Sequence, residues 1–113
     1  MTNVRVSVNV PAEKPEEIEL VDRIIDAMAE AGAGTVGRYE RVALVIDGRE
    51  TWRTGEGAHP YNGRPGEITS ARTKRIEMRC PSENLATVVR AIRRLHPYEE
   101  PVIEIARLED PSF

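Results

Sequence analysis

His59 and His96 are the only histidines in the chain, and each opens the same tripeptide: His59-Pro60-Tyr61 and His96-Pro97-Tyr98. Two imidazoles with a nearby carboxylate, Glu99 or Glu100, form the nitrogen and oxygen donor set that zinc or copper takes. The histidines stand 37 positions apart, so only the fold can bring them together. The structural alternative for His96 is a helix end, with Pro97 forcing the exit. Glu99 and Glu100 could also be an acid/base pair. Adjacent residues of extended chain point apart, however, which favours a solvated face or a subunit salt link. Cys80, the single cysteine, excludes an internal disulfide framework and a Cys-pair zinc site. It falls on the apolar phase of a strand pattern and reads as a small buried hydrophobe rather than a thiolate nucleophile. No motif joins Ser, His and Asp into a triad.

Gly32-Ala33-Gly34-Thr35-Val36-Gly37 matches G-x-G-x-x-G. A dinucleotide fingerprint requires that sequence after a strand and before a helix, with pyrophosphate at the helix N-terminus. Here it follows a helical pattern and leads into a strand pattern, so it reads as a helix C-cap and a tight turn. Arg90, Arg93 and Arg94 could grip phosphate. They also sit near a helix C-terminus, where cations are favoured, and acids outnumber bases overall.

These residues must be positioned by regular elements. Val4, Val6, Val8 and Val10 alternate with polar residues, the period of a strand buried on one face. Pro15-Glu16-Glu17 opens a helix whose apolar stripe is Ile18, Val21, Ile24, Ile25 and Met28. Val42, Leu44 and Ile46 alternate, and Asp47-Gly48 reads as a turn. Residues 48 to 66 are rich in Gly, Pro and polar groups, with Trp52 among them. Ile76, Met78 and Cys80 form a third core strand, which Ile68 to Thr73 could lengthen. Ser82 reads as the N-cap of a second helix with the stripe Leu85, Val88, Val89, Ile92 and Leu95. Val102, Ile103 and Ile105 form the last strand. The order β-α-β-β-α-β, with two right-handed crossovers, predicts an α+β ferredoxin-like plait spanning the chain as one domain, 1–113. Both helices cover one face of a four-stranded antiparallel sheet. The other face, carrying Ser7, Asn9, Arg75 and Arg79, needs water or a partner.

Composition bounds the function. The chain has 113 residues, 31% charged, with a formal net charge of -3. The acidic balance argues against general nucleic-acid binding, and no run of ~20 apolar residues predicts a membrane helix. The first ten residues lack a signal pattern, which gives the expectation of a cytoplasmic protein. Aromatic residues make up only 4%: Tyr39, Trp52, Tyr61, Tyr98 and Phe113. Four of the five, and both histidines, fall in or beside the motifs below.

Three ordered segments, 29–40 (Ala29 to Glu40), 55–63 (Gly55 to Gly63) and 95–101 (Leu95 to Pro101), resemble the YqfO-type domain. That domain is the CutA-like insert of dinuclear-metal proteins of the NGG1-interacting-factor family. His96-Pro97-Tyr98-Glu99-x-Pro101 also resembles the signature near the C-terminus of CutA, a trimeric divalent-cation-tolerance protein. The resemblance implies a PII/CutA-like plait and a homotrimer. It does not bring metal hydrolase chemistry with it, because the metal-bearing flanking domains of the long proteins have no counterpart in these residues. Val42, Glu50 and His59 depart from the family pattern, and His59 adds a titratable group beside Tyr61.

The resulting expectation is a non-enzymatic binding or regulatory module with a divalent metal or a small anionic ligand near a subunit boundary. Gly34, Gly37, Tyr39, Tyr61 and Tyr98 are the expected ligand-binding residues, and His59, His96 and Glu99 the expected metal ligands. The alternatives are a metal-dependent hydrolase and a structural cap that assembles with another protein.

Overall fold

The computed structural model describes residues 2–109; Phe113 lies outside them. The elements run β1 (Asn3–Pro11), α1 (Pro15–Glu30), β2 (Leu44–Arg53), β3 (Ile68–Pro81), a 3-10 turn (Ser82–Asn84), α2 (Leu85–Leu95) and β4 (Ile103–Arg107). The sheet order is β2-β3-β1-β4, and every neighbouring pair is antiparallel. This is the expected α+β plait. The valines at 4, 6, 8 and 10 face the helices with Ile76, Met78 and Cys80, and all seven are buried. Cys80 is a core residue, and burial pushes its thiol pKa up. Among the described residues no helix is long and apolar enough to cross a membrane.

Three local readings are corrected. Asp47-Gly48 is not a turn: β2 runs straight through it, pairing Asp47 with Lys74 and Gly48 with Thr73. The hairpin is therefore longer, its far end carries Trp52 opposite Thr69, and the connecting loop is 54–67. Ser82 is not the N-cap of α2; it begins the 3-10 turn, and Asn84 precedes the helix without a side-chain cap bond. Ile18 is about half exposed, while Leu20 takes a core place beside Val21, Ile24, Ile25 and Met28.

The sheet face away from the helices is polar and cross-linked. The Arg75 guanidinium donates to Glu77 at 3.1 Å, to Glu104 at 2.8 Å and to the Asn9 carbonyl oxygen of its side chain at 3.1 Å. The Asn9 amide in turn donates to Glu50 at 3.2 Å. The line Glu104, Arg75, Asn9, Glu50 crosses all four strands, and Ser7 is buried beneath it. The outer strands differ. Leu44, Val45 and Ile46 on β2 and Ile105 on β4 are exposed large hydrophobics; Ile68, exposed too, pairs with Arg53 at the far end of the hairpin, and Val102 precedes β4. Three consecutive exposed apolar residues on an edge strand leave both of its faces uncovered.

Candidate functional site

The site begins at the start of α1. Glu17 is one helical turn into the chain's first helix, yet it is only 5% exposed. Its Oε1 accepts from the backbone N–H groups of Glu13 and Lys14, both at 3.0 Å. These are donors a helix start otherwise leaves open. Its Oε2 accepts from the Tyr61 hydroxyl at 2.7 Å. Burial alone would raise the Glu17 pKa; the bonds from Lys14, Tyr61 and Glu13 outweigh it and hold the carboxyl below its usual range. The same bond, with burial, pushes the Tyr61 hydroxyl up to about 12.

Tyr61 thus folds the 54–67 loop back onto α1. A second tether reaches the segment after α2: the His59 backbone N–H donates to both Glu99 carboxylate oxygens at 3.2 Å. The His-Pro-Tyr segments therefore do come together, through Tyr61 and Tyr98 and through the His59 backbone. The Tyr61 and Tyr98 ring centroids lie 5.7 Å apart, and Trp52 lies 5.9 Å from Tyr98. The three rings stand on three segments and tilt toward one another, the arrangement aromatic pairs prefer. They border an open cleft of about 360 Å³, into whose lining Glu50, Thr54 and Glu100 also fall. Burial, with the nearby charge of Glu50, pushes the Tyr98 hydroxyl up to about 12.

His96 lies behind the cleft and is 8% exposed. Its Nε2 meets the Asn9 backbone carbonyl at 2.6 Å, and its Nδ1 meets the Tyr98 backbone N–H at 3.1 Å. A carbonyl only accepts and an N–H only donates, so the ring is neutral, with its proton on Nε2. Burial lowers the pKa, against the opposing pull of the Asn9 carbonyl and the Glu50 charge.

Both His96 nitrogens are thus engaged within the chain, which leaves no ring lone pair for the metal expected there. His59 offers Glu99 its backbone, not its ring. Among the described residues no three His, Cys, Asp or Glu side chains form a group that could hold a metal. Within one chain, the expected donors His59, His96 and Glu99 therefore do not form such a group.

Gly34, Gly37 and Tyr39 lie outside this cleft. The Gly34 N–H donates to Arg79 O at 2.7 Å, and its carbonyl accepts from Val42 N at 2.8 Å. Its φ is +88°, and an added Cβ would lie 2.6 Å from Met78 Cε and 3.1 Å from Val42 N. Gly34 is thus a close-packing position that leads the chain into β2. Gly37 and Tyr39 belong to a tight turn closed by reciprocal bonds between Val36 and Tyr39. Along β3, Arg79 beside Gly34 and Ala71 opposite Glu50 are roughly 25 Å apart. Arg90, Arg93 and Arg94 are exposed on α2. Sequence reasoning missed Glu17 and Glu50. Glu17 carried one signal, its position three residues after Lys14 at a helix start, where a carboxylate can reach back.

Set beside known proteins, the three-ring cleft sits on a familiar scaffold. The chain superimposes on the divalent cation tolerance protein CutA of Archaeoglobus fulgidus with a TM-score of 0.69 at 17% identity, over 96% of this chain and 86% of that one. CutA1 of Oryza sativa gives 0.71 at 11% identity, over 99% and 84%. The fold is that of CutA. A Bacillus cereus protein related to NIF3 superimposes with a TM-score of 0.80 at 26% identity, over 96% of this chain and 26% of its own. In sequence, the chain is 33% identical over 102 residues to a GTP cyclohydrolase 1 type 2 homolog of Mycobacterium tuberculosis, covering 90% of this chain and 25% of that protein. The namesake from Bacillus subtilis is 30% identical over 105 residues, covering 93% and 26%. The chain therefore spans about a quarter of the length of the curated relatives it matches. No family model matches the chain.

Proposed function

We propose that this chain is a non-enzymatic, self-associating binding module of the YqfO type, whose ligand site is the cleft between Trp52, Tyr61 and Tyr98. The observation that carries the reading is the pairing of that cleft with the two sheet edges, β2 with exposed Leu44, Val45 and Ile46 and β4 with exposed Ile105. Trp52 is on the edge strand β2, and Val102, at the lip of the cleft, leads into the other edge strand, β4. The two edges are different surfaces. Joining β2 of one chain to β4 of the next is a head-to-tail contact, which gives a ring where its rotation closes and not a two-fold dimer. A ring of three agrees with the resemblance to CutA-type trimers, and it would cover Leu44, Ile46 and Ile105 while placing each cleft at a boundary. The His96-Pro97-Tyr98-Glu99 segment then has two tasks. His96 locks the chain after α2 to β1, and Tyr98 and Glu99 present a ring and a carboxylate to the cleft.

Sedimentation equilibrium of the 113-residue chain tests the assembly. The expected species has three chain masses, and Leu44→Lys with Ile46→Lys converts it to one. A wild-type monomer at micromolar concentration overturns the reading.

A further inference from the structure

The cleft contains a charge that the fold does not neutralise. Glu50 stands on β2 next to Trp52, and its Oε2 receives the Asn9 amide. Its Oε1 is buried and has no hydrogen-bond partner among the described residues. The Thr54 hydroxyl at the same end of the hairpin is in the same condition, and Thr54 is 5% exposed. Buried polar atoms in folded proteins are nearly always paired with protein or water, so these two, at one open cleft, are atoms whose partner the protein itself does not supply. The rest of the lining has the same sign. Glu99 and Glu100 join Glu50, against the single guanidinium of Arg53. This disfavours the small anionic ligand expected from sequence. The walls are aromatic, and one ring already attracts a cation: the Lys14 ammonium lies 5.8 Å from the Tyr61 centroid. Ring faces and an unpaired carboxylate together suit a positive charge carried on carbon, whose apolar skin a strongly hydrated metal ion lacks.

We propose that the cleft binds a small organic cation, an alkylated ammonium or a guanidinium, between the faces of Trp52, Tyr61 and Tyr98, over the carboxylate of Glu50. This rests on the reading of the cleft as the ligand site. The rings set the size of the cationic head, and Glu50 sets its sign from beneath. Glu99 and Glu100 hold the negative potential at the mouth, which speeds the entry of cations and turns anions away.

Trp52 is the only tryptophan, so its emission reports the cleft alone. The assembled 113-residue chain is titrated with tetramethylammonium chloride and with methylguanidinium chloride, against sodium chloride at equal ionic strength. The expected result is a saturable change in Trp52 emission with at least one organic cation and none with sodium. The affinity should fall at least five-fold in Glu50→Gln and in Tyr98→Leu, each checked for folding by circular dichroism. Glu50→Gln keeps the side-chain shape and the acceptor for Asn9, so its loss reads charge rather than packing. A response no different from sodium chloride overturns the proposal, as does equal affinity in wild type and Glu50→Gln. If sedimentation still gives the trimer in that case, the cationic ligand fails and the assembly stands. If the chain is a monomer that nevertheless binds the cation through Glu50, the assembly fails and the ligand class stands.

Discussion

The Tyr61 hydroxyl and the Glu17 carboxylate meet at 2.7 Å across 44 positions of sequence. One bond thus fixes the long hairpin loop to the first turn of α1 and sets where the Tyr61 ring stands against Tyr98. Tyr61→Phe keeps the ring and removes the bond. A hydrogen bond to a charged group that also caps a helix contributes about 1–2 kcal/mol. Urea unfolding should show a loss of that size, and Glu17→Ala a larger one, because it also strips acceptors from the N–H groups of Glu13 and Lys14. Equal stability of Tyr61→Phe and wild type would mean that the loop is held by other contacts.

His96 makes stability depend on pH near neutrality. Its pKa in the folded chain lies below the ordinary 6.5, so the unfolded chain takes up the proton first as pH falls. The unfolded state then binds more protons, and stability drops as pH is lowered through about 6.5 toward the folded value. Above that window the group contributes no slope. Urea midpoints at pH 7.5 and 5.5 should differ in wild type, with the lower pH less stable. The difference should shrink in His96→Gln, which keeps a donor for the Asn9 carbonyl and cannot titrate there.

Gly34→Ala separates scaffold from site. The position combines φ +88° with a Cβ that would crowd Met78 Cε and the Val42 backbone. Strain and overpacking together cost about 2–4 kcal/mol. Thermal melts should show that loss, while the Trp52 emission spectrum of the folded variant stays that of wild type, since Gly34 lies at the far end of β3. A shifted spectrum would tie the glycine segment to the cleft after all.

Much of the fold was legible because burial on one face leaves a period. Val4 to Val10 and Ile76 to Cys80 alternate, and the structure buries those very phases. Where no face is buried the period vanishes. That is why β2 beyond Ile46 read as turn and loop: it pairs with β3 through Arg53, but its side chains are largely exposed, with only Glu50 and Trp52 half-buried. The site was legible as segments and not as roles. The His-Pro-Tyr repeats do converge, yet proximity in space said nothing about which atom of each residue faces which partner. His96 spends both nitrogens on backbone, His59 uses its N–H, and the tyrosines supply the surface. Glu50 gave no signal, because its importance comes from an oxygen left without a donor once Asn9, on a strand 41 positions earlier, has taken the other.

The central claim is head-to-tail assembly through β2 and β4 with a cleft at each boundary. It is tested most directly by mixing two chains, one carrying Ile46→Cys on β2 and the other Ile105→Cys on β4, and linking them with a short bis-maleimide. Both positions are exposed in the single chain, and the natural Cys80 is buried. The account predicts that the mixed β2–β4 product dominates on mass analysis and that neither single variant alone forms comparable dimer. Predominant β2–β2 linkage, or no linkage in the mixture, would contradict it.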